Sequence, residues 1–209
     1  MNTPAIASIA PTVYRRQEFS IPDGVIYLDG NSLGVLPKAT AAAVAKTVEQ
    51  EWGNGLIRSW NTADWVNAPR RCGDKIARLI GANAGEVIAC DSTSVNLFKA
   101  LITALALQKD QPQRNVIISD IDNFPTDLYI AQGIRDLLQE RQIQLEFVKR
   151  HEMESAIVAF SGCTAVVMLT QVDYRSGERY DMKAITALVQ SRGALMLWGS
   201  GAFDVRFSR

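Results

Sequence analysis

Thr164-Ala165-Val166-Val167-Met168-Leu169 is an apolar run with no polar residue alternating through it. A strand with one wet face alternates. An unbroken run of this length fits a strand buried on both faces, as in a parallel sheet covered by helices. The flanking sequence points the same way. Val116 to Ser119, Leu145 to Val148 and Ala194 to Trp198 read as further strands, and Val87 to Cys90 as a short first one. Helical spacing fills the gaps, over Val95 to Leu107, Leu128 to Arg141, Met153 to Phe160 and Met182 to Ser191. Strands alternating with helices predict an α/β fold, a mostly parallel sheet with helices on both faces.

Upstream of this alternation the pattern changes. Tyr27 to Pro37 reads as a short strand and a turn-rich loop punctuated by Gly30, Asn31, Gly34 and Pro37. Ala41, Val44, Ala45, Val48 and Trp52 recur at helical spacing, so Lys38 to Gly53 is expected to be an amphipathic helix. A loop with Trp60, Asn61 and Trp65 follows, then a second helix marked by Cys72, Ile76, Leu79 and Ile80 and closed by Gly81. The expected organisation is an N-terminal extension and helix over 1–60 and a partial large domain over 61–209. The tail from Phe203 to Arg209 resembles neither a closing helix nor a second domain, and the end reads as abrupt.

Composition narrows the function. The chain has 209 residues, with 22 basic against 22 acidic and 47% hydrophobic. No basic stripe argues for nucleic acid. No apolar run approaches the length that spans a bilayer, and Met1 to Pro11 lacks the charged and apolar regions of a secretory leader. Cys72, Cys90 and Cys163 are far apart, with neither metal-ligand spacing nor a disulfide framework, which fits a reducing cytoplasm. His151 is the only histidine and sits in the charged stretch Lys149-Arg150-His151-Glu152, so a Ser-His-Asp triad or a histidine-rich metal site finds little support.

Three strand ends carry chemistry. Asn123-Phe124-Pro125-Thr126-Asp127 follows the strand at Val116. Phe124 offers a face on which a flat ring can stack, and Asp127 a carboxylate that can hold a ring nitrogen. A plain helix start, with Pro125 at the first helical position and Thr126 or Asp127 facing the dipole, explains the same residues. Asp91-Ser92-Thr93-Ser94-Val95-Asn96 lies between a strand and a helix. Thr93 and Ser94 there can bind a phosphate, or the segment can simply cap the helix. Thr170, opening Thr170 to Gly177, puts a hydroxyl at a third strand end, or begins an ordinary polar loop. In open α/β sheets the C-terminal edge is where ligands bind, and one edge would gather all three.

Taken in order, Tyr27-Leu28-Asp29-Gly30-Asn31-Ser32-Leu33-Gly34, Thr93-Ser94-Val95-Asn96-Leu97, Phe124-Pro125-Thr126-Asp127 and Val172-Asp173-Tyr174-Arg175-Ser176-Gly177 resemble kynureninase, the bacterial type most closely. The likeness runs from about Tyr14 to Val205. It implies a fold-type-I enzyme of the PLP-dependent transferase-like fold, a homodimer using pyridoxal 5′-phosphate. The implied reaction is hydrolysis of L-kynurenine to anthranilate and L-alanine in tryptophan catabolism, with 3-hydroxykynurenine as the related substrate. Carried over, Thr93 and Ser94 look like phosphate contacts. Phe124, within Phe124-Pro125-Thr126-Asp127, looks like the ring-stacking residue. Asp127 looks like the pyridine-side carboxylate and Thr170 a further cofactor contact. Ser32 resembles a substrate-side contact.

Two departures from that pattern shape the expectations. After Trp198 the chain goes directly to Gly199-Ser200-Gly201-Ala202-Phe203, about four positions shorter than the family, without its Asp and His. The family's Schiff-base lysine falls beyond Arg209. Lys38, Lys46, Lys75, Lys99, Lys109, Lys149 and Lys183 occur on helices or in loops unlike that motif. The expectation is therefore a truncated chain, inactive alone, with at most residual cofactor binding. A sheet that has lost neighbours should also expose an edge prone to pairing. Another class V enzyme, such as a cysteine desulfurase-like protein, is the alternative; the pairing of GNSLG with FPTD argues against it.

Overall fold

The structure is a computed structural model that describes residues 15–199 and the backbone of 205–208. The chain forms two compact units, Met1–Ala89 and Cys90–Arg209. The division drawn from sequence between 60 and 61 falls inside the first of them.

In the first unit β1 (Phe19–Ser20) pairs antiparallel with β2 (Leu36–Pro37). Tyr27 and Leu28, expected in a strand, belong to the loop between these two. That loop closes on itself: the Tyr27 hydroxyl lies 2.7 Å from the Leu33 carbonyl, and the Ser32 N–H donates to Asp29. Pro37 leads into α1 (Lys38–Lys46), which continues as a π-helical stretch, Thr47–Asn54, where a plain α-helix was expected. The Ser59 hydroxyl donates to the Glu51 carbonyl at 2.6 Å, and a Cβ on Gly55 would sit 2.0 Å from that hydroxyl. Glycine is therefore required where the chain turns from the widened helix into α2 (Ser59–Thr62). Helix α3 (Ala68–Ile80) starts with Pro69 and ends at Gly81, whose φ of 73° is the left-handed C-cap expected there.

The strand expected at Val87 to Cys90 does not form. Val87 to Ala89 lie against α3 instead. The Ala89 N–H donates to the Pro69 carbonyl, and a Cβ on Gly73 would meet the Val87 carbonyl at 2.0 Å.

The second unit fulfils the alternation. Its elements are α4 (Thr93–Leu107), β3 (Val116–Asp120), α5 (Pro125–Leu137), β4 (Gln144–Val148), α6 (Met153–Ala159), β5 (Thr164–Thr170), α7 (Met182–Ser191), β6 (Leu195–Gly199) and β7 (Val205–Ser208). The sheet order is β4-β3-β5-β6-β7. The first four strands are parallel and β7 runs antiparallel to β6. Strand β7 was not expected from the tail, and it covers the side of β6 that would have been open.

Side chains alternate across this sheet, so the unit has two cores. Ile117, Ala165, Val166, Met168 and Leu197 face Leu101, Leu105, Ala131 and Ile134 of α4 and α5. Val116, Ile118, Val167, Leu169, Met196 and Trp198 face Met153 and Ile157 of α6 and Ile185 and Val189 of α7. At the N-terminal edge Arg114 ties the layers together. Its guanidinium donates to the carbonyls of Thr164 at 2.7 Å and Arg192 at 2.9 Å. Gly193, with φ 72°, leaves room for it, since a Cβ there would lie 2.7 Å from Nη2.

Candidate cofactor site

From β3 the chain crosses through α5 on one face to β4 on the left. From β5 it crosses through α7 on the other face to β6 on the right. Strands β3 and β5 are neighbours, so the connections part between them. The carboxyl end of such a pair forms a crevice that neither connection covers, where ligands bind in open α/β sheets. Asn123 and Phe124 follow β3, and Thr170 ends β5. The sequence-predicted residues from these two strands therefore meet at the reversal point.

Asn123 joins them. Its side chain is buried, and Oδ1 accepts the Thr170 hydroxyl at 2.7 Å and the Phe124 N–H at 2.8 Å. Its Nδ2 donates to Ser119 Oγ at 3.3 Å, and Ser119 donates in turn to the Met168 carbonyl at 2.7 Å. The Phe124 ring is 47% exposed and meets Tyr174 edge-on, with centroids 5.2 Å apart. One ring of the loop after β5 thus braces the ring of the loop after β3.

The helix-start reading of FPTD holds. Phe124 is the N-cap residue of α5, Pro125 stands at its first position, and the Asp127 N–H donates to the Phe124 carbonyl. Pro125 and Thr126 are exposed, and Asp127 is half-buried. Burial raises the Asp127 carboxyl above the ordinary aspartate range, offset in part by the Thr126 hydroxyl. A cationic ring N–H beside it would compensate that desolvation.

Ser92 caps α4: its hydroxyl accepts the Val95 N–H at 3.4 Å. Thr93 and Ser94 form the half-buried first turn, where the helix dipole favours an anion. Before them Asp91 takes a left-handed φ of 45° and pairs with Lys99. That contact holds the Asp91 carboxyl low and the Lys99 amine high. Ser32 belongs to the other unit, exposed in its loop. The segment shortened after Trp198 lies, from Ser200 to Asp204, outside the described residues.

A separate open cavity of about 450 Å³ lies on the same edge, lined by Asp120, Asp122, Arg150, Asp173, Arg175, Ser176 and Glu178. None of the sequence-predicted contacts lines it. Four carboxylates against two guanidiniums make it a poor phosphate site. Beneath it, Tyr180 donates to the buried Asp120 at 2.8 Å, and Arg150 lies 3.8 Å above the Tyr180 ring. Burial and the Asp120 carboxylate push the Tyr180 phenol up. Asp120, Tyr180 and Asn123 escaped the sequence reading as a group, because each depends on a partner from a distant strand end.

The residues at the β3–β5 crevice fit pyridoxal phosphate. An exposed aromatic face and a desolvated carboxylate stand on one turn. Glycine at position 199 spares Thr170 Oγ1 a Cβ that would lie 3.2 Å from it.

No family model matches the chain. It is 50% identical over 192 residues to the kynureninase of Pseudomonas fluorescens, covering 91% of this chain and 45% of that protein. It is 49% identical over 189 residues to the kynureninase of Burkholderia pseudomallei strain 1106a, again covering 45% of that protein. The chain thus spans less than half the length of the curated relatives it matches. Among solved structures, the apo cysteine desulfurase of Thermococcus onnurineus NA1 superposes with a TM-score of 0.64 at 19% identity, over 88% of this chain and 46% of that one. A NifS-like protein gives 0.63 at 14%, over 84% and 48%. The fold is the fold-type-I, PLP-dependent transferase-like α/β fold that the sequence predicted.

Proposed function

We propose, from the chain's kinship with the kynureninases along nine-tenths of its length, that it carries the cofactor-gripping part of such an enzyme. The reaction is hydrolysis of L-kynurenine, or its 3-hydroxy form, to anthranilate or 3-hydroxyanthranilate and L-alanine. The cofactor is pyridoxal 5′-phosphate, the working assembly a cytoplasmic homodimer. The observation that carries this reading is Asn123, which holds Phe124 and Thr170 at one sheet-reversal point.

When bound, the cofactor supplies an electron sink for the carbanion the cleavage requires. The chain's own residues bind and orient it. Thr93 and Ser94 take the phosphate at the α4 N-terminus, with the helix dipole behind them. Phe124 stacks on the ring and keeps water from that face. Asp127 holds the ring nitrogen's proton, which favours charge flow into the ring. Thr170 adds a hydroxyl contact, and Ser32 serves the substrate.

A lysine must also carry protons, and that calls for an amine held low by burial or a neighbouring cation. All seven lysines of this chain are exposed, and Lys99 is instead held high by Asp91. These observations favour a second statement: the chain alone binds cofactor but does not turn over. Titration with pyridoxal 5′-phosphate, read by tryptophan fluorescence and visible absorbance, tests both. Saturable quenching is expected, with no lysine-linked visible band and no anthranilate released from L-kynurenine. A visible band removed by one Lys→Ala change would overturn the second statement; absence of saturable binding would overturn the first.

A further inference from the structure

Donor and acceptor identities around Asn123 are fixed by one group that has no choice. The Phe124 backbone N–H only donates, and it lies 2.8 Å from the Asn123 side-chain atom that also meets Thr170. That atom is therefore the amide oxygen, and the side chain cannot be flipped. The oxygen only accepts, so the 2.7 Å contact with Thr170 consumes the threonine's single hydroxyl proton. On the other side Ser119 spends its proton on the Met168 carbonyl and accepts from Asn123 Nδ2. The chain of polarity runs one way from the end of β5 into the buried sheet. What remains on Thr170 is a pair of acceptor lone pairs, which a Cβ at position 199 would crowd from 3.2 Å.

We propose that Asn123 is a positioning residue that makes Thr170 an acceptor-only contact. Thr170 then meets a hydrogen-bond donor on the ring side of the cofactor, such as a ring N–H or protonated hydroxyl, and repels the phosphate. The inference rests on the pyridoxal-phosphate reading and assigns Thr170 its direction. Asn123 itself touches no ligand. It also fixes the start of α5 through the Phe124 N–H, so one amide sets both the stacking face and the lone pairs.

The test compares three probes on the full chain: pyridoxal 5′-phosphate, pyridoxal without phosphate, and inorganic phosphate as competitor. Binding is read by fluorescence quenching, and folding by the thermal midpoint of each variant. Thr170→Val and Asn123→Ala should weaken both pyridoxal compounds by roughly three- to tenfold, the range of one lost hydrogen bond. The inorganic phosphate constant should not move. Thr170→Ser should restore parent affinity. Asn123→Asp keeps both acceptor contacts and should retain ring affinity better than Asn123→Ala, even with a lowered midpoint. If Asn123→Ala fails to fold, Thr170→Val and Thr170→Ser carry the test alone. Parent-like binding of pyridoxal by Thr170→Val, or a phosphate constant that shifts as much as the ring's, overturns the proposal and leaves the cofactor reading standing. A parent chain that binds none of the three probes overturns both.

Discussion

The two units use apolar residues in opposite ways. In the unit from residue 90, every strand residue from Ala165 to Leu169 is buried, and helices cover both faces of the sheet. In the unit before it, Ala77 is the only buried hydrophobic residue among those described, while Leu28 is 89% and Leu79 86% exposed. The stripe of Ala41, Val44, Ala45, Val48 and Trp52 lies on helical turns exposed along its length. Helical periodicity thus records which face could be buried, and a core records which face is. The first unit's order comes from local polar contacts instead, such as Ser59 and Trp65 on Glu51.

The largest expected effect separates the units by stability. Leu169, 0% exposed, should cost about 2–5 kcal/mol when cut to alanine. Leu79→Ala should stay within about 0.5 kcal/mol. Urea denaturation measures both, and equal costs would break the contrast. Hydrogen exchange should follow the same division. Amides of β3, β5 and β6 should exchange only through global opening, and those of α1 and α3 through easier local opening. Matched protection in the two units would show a core in the first that its exposures do not reveal.

Smaller effects concern binding. Phe124→Ala should weaken pyridoxal 5′-phosphate by roughly tenfold with little change in thermal midpoint, because the ring is half-exposed and stacking is its main contribution. Ser32→Ala, in the other unit, should leave cofactor affinity unchanged, and a comparable loss there would erase the assignment of cofactor work to the second unit. The smallest effect is a pH slope at Asp127. Its folded carboxyl titrates above the unfolded one, so folding favours the protonated form. That contribution is present below the ordinary aspartate range and is lost as pH rises through the raised value. Asp127→Asn should remove this decline from the midpoint-versus-pH curve and weaken cofactor binding at neutrality. A curve unchanged by the substitution would contradict the desolvation of that carboxyl.

How much was legible follows from how far each feature reaches along the chain. The strands at Val116, Ala165 and Ala194 were readable because burial on both faces leaves a nearly unbroken apolar run. The one at Leu145, a half-buried edge strand interrupted by Glu146, was readable from its place in the alternation. Val87 to Cys90 has the look of such an apolar run, but the Ala89 N–H goes to the Pro69 carbonyl of α3, and Gly73 gives the room for that close approach. Strand β7 was missed because Val205–Ser208 is short and is defined by β6. At the candidate site, the placement of Phe124 and Thr170 at two strand ends was readable from the alternation of elements. The amide between them was not, since its partners lie on two strands whose adjacency only the topology supplies. Helix α4 begins at Thr93, two residues before the expected Val95, because Ser92, Thr93 and Ser94 are all competent caps and the backbone picks Ser92.

Arg114 grips the sheet at the edge away from Thr170 and Asn123. The clamp that joins the starts of two strands is thereby separate from the rim that holds the candidate site. The buried Asn123 and Tyr180 anchor the loops after β3 and β5 to the strands, while exposed positions such as Asp122 and Arg175 stand free of the core. Variation at those exposed positions leaves the clamp at the opposite rim untouched.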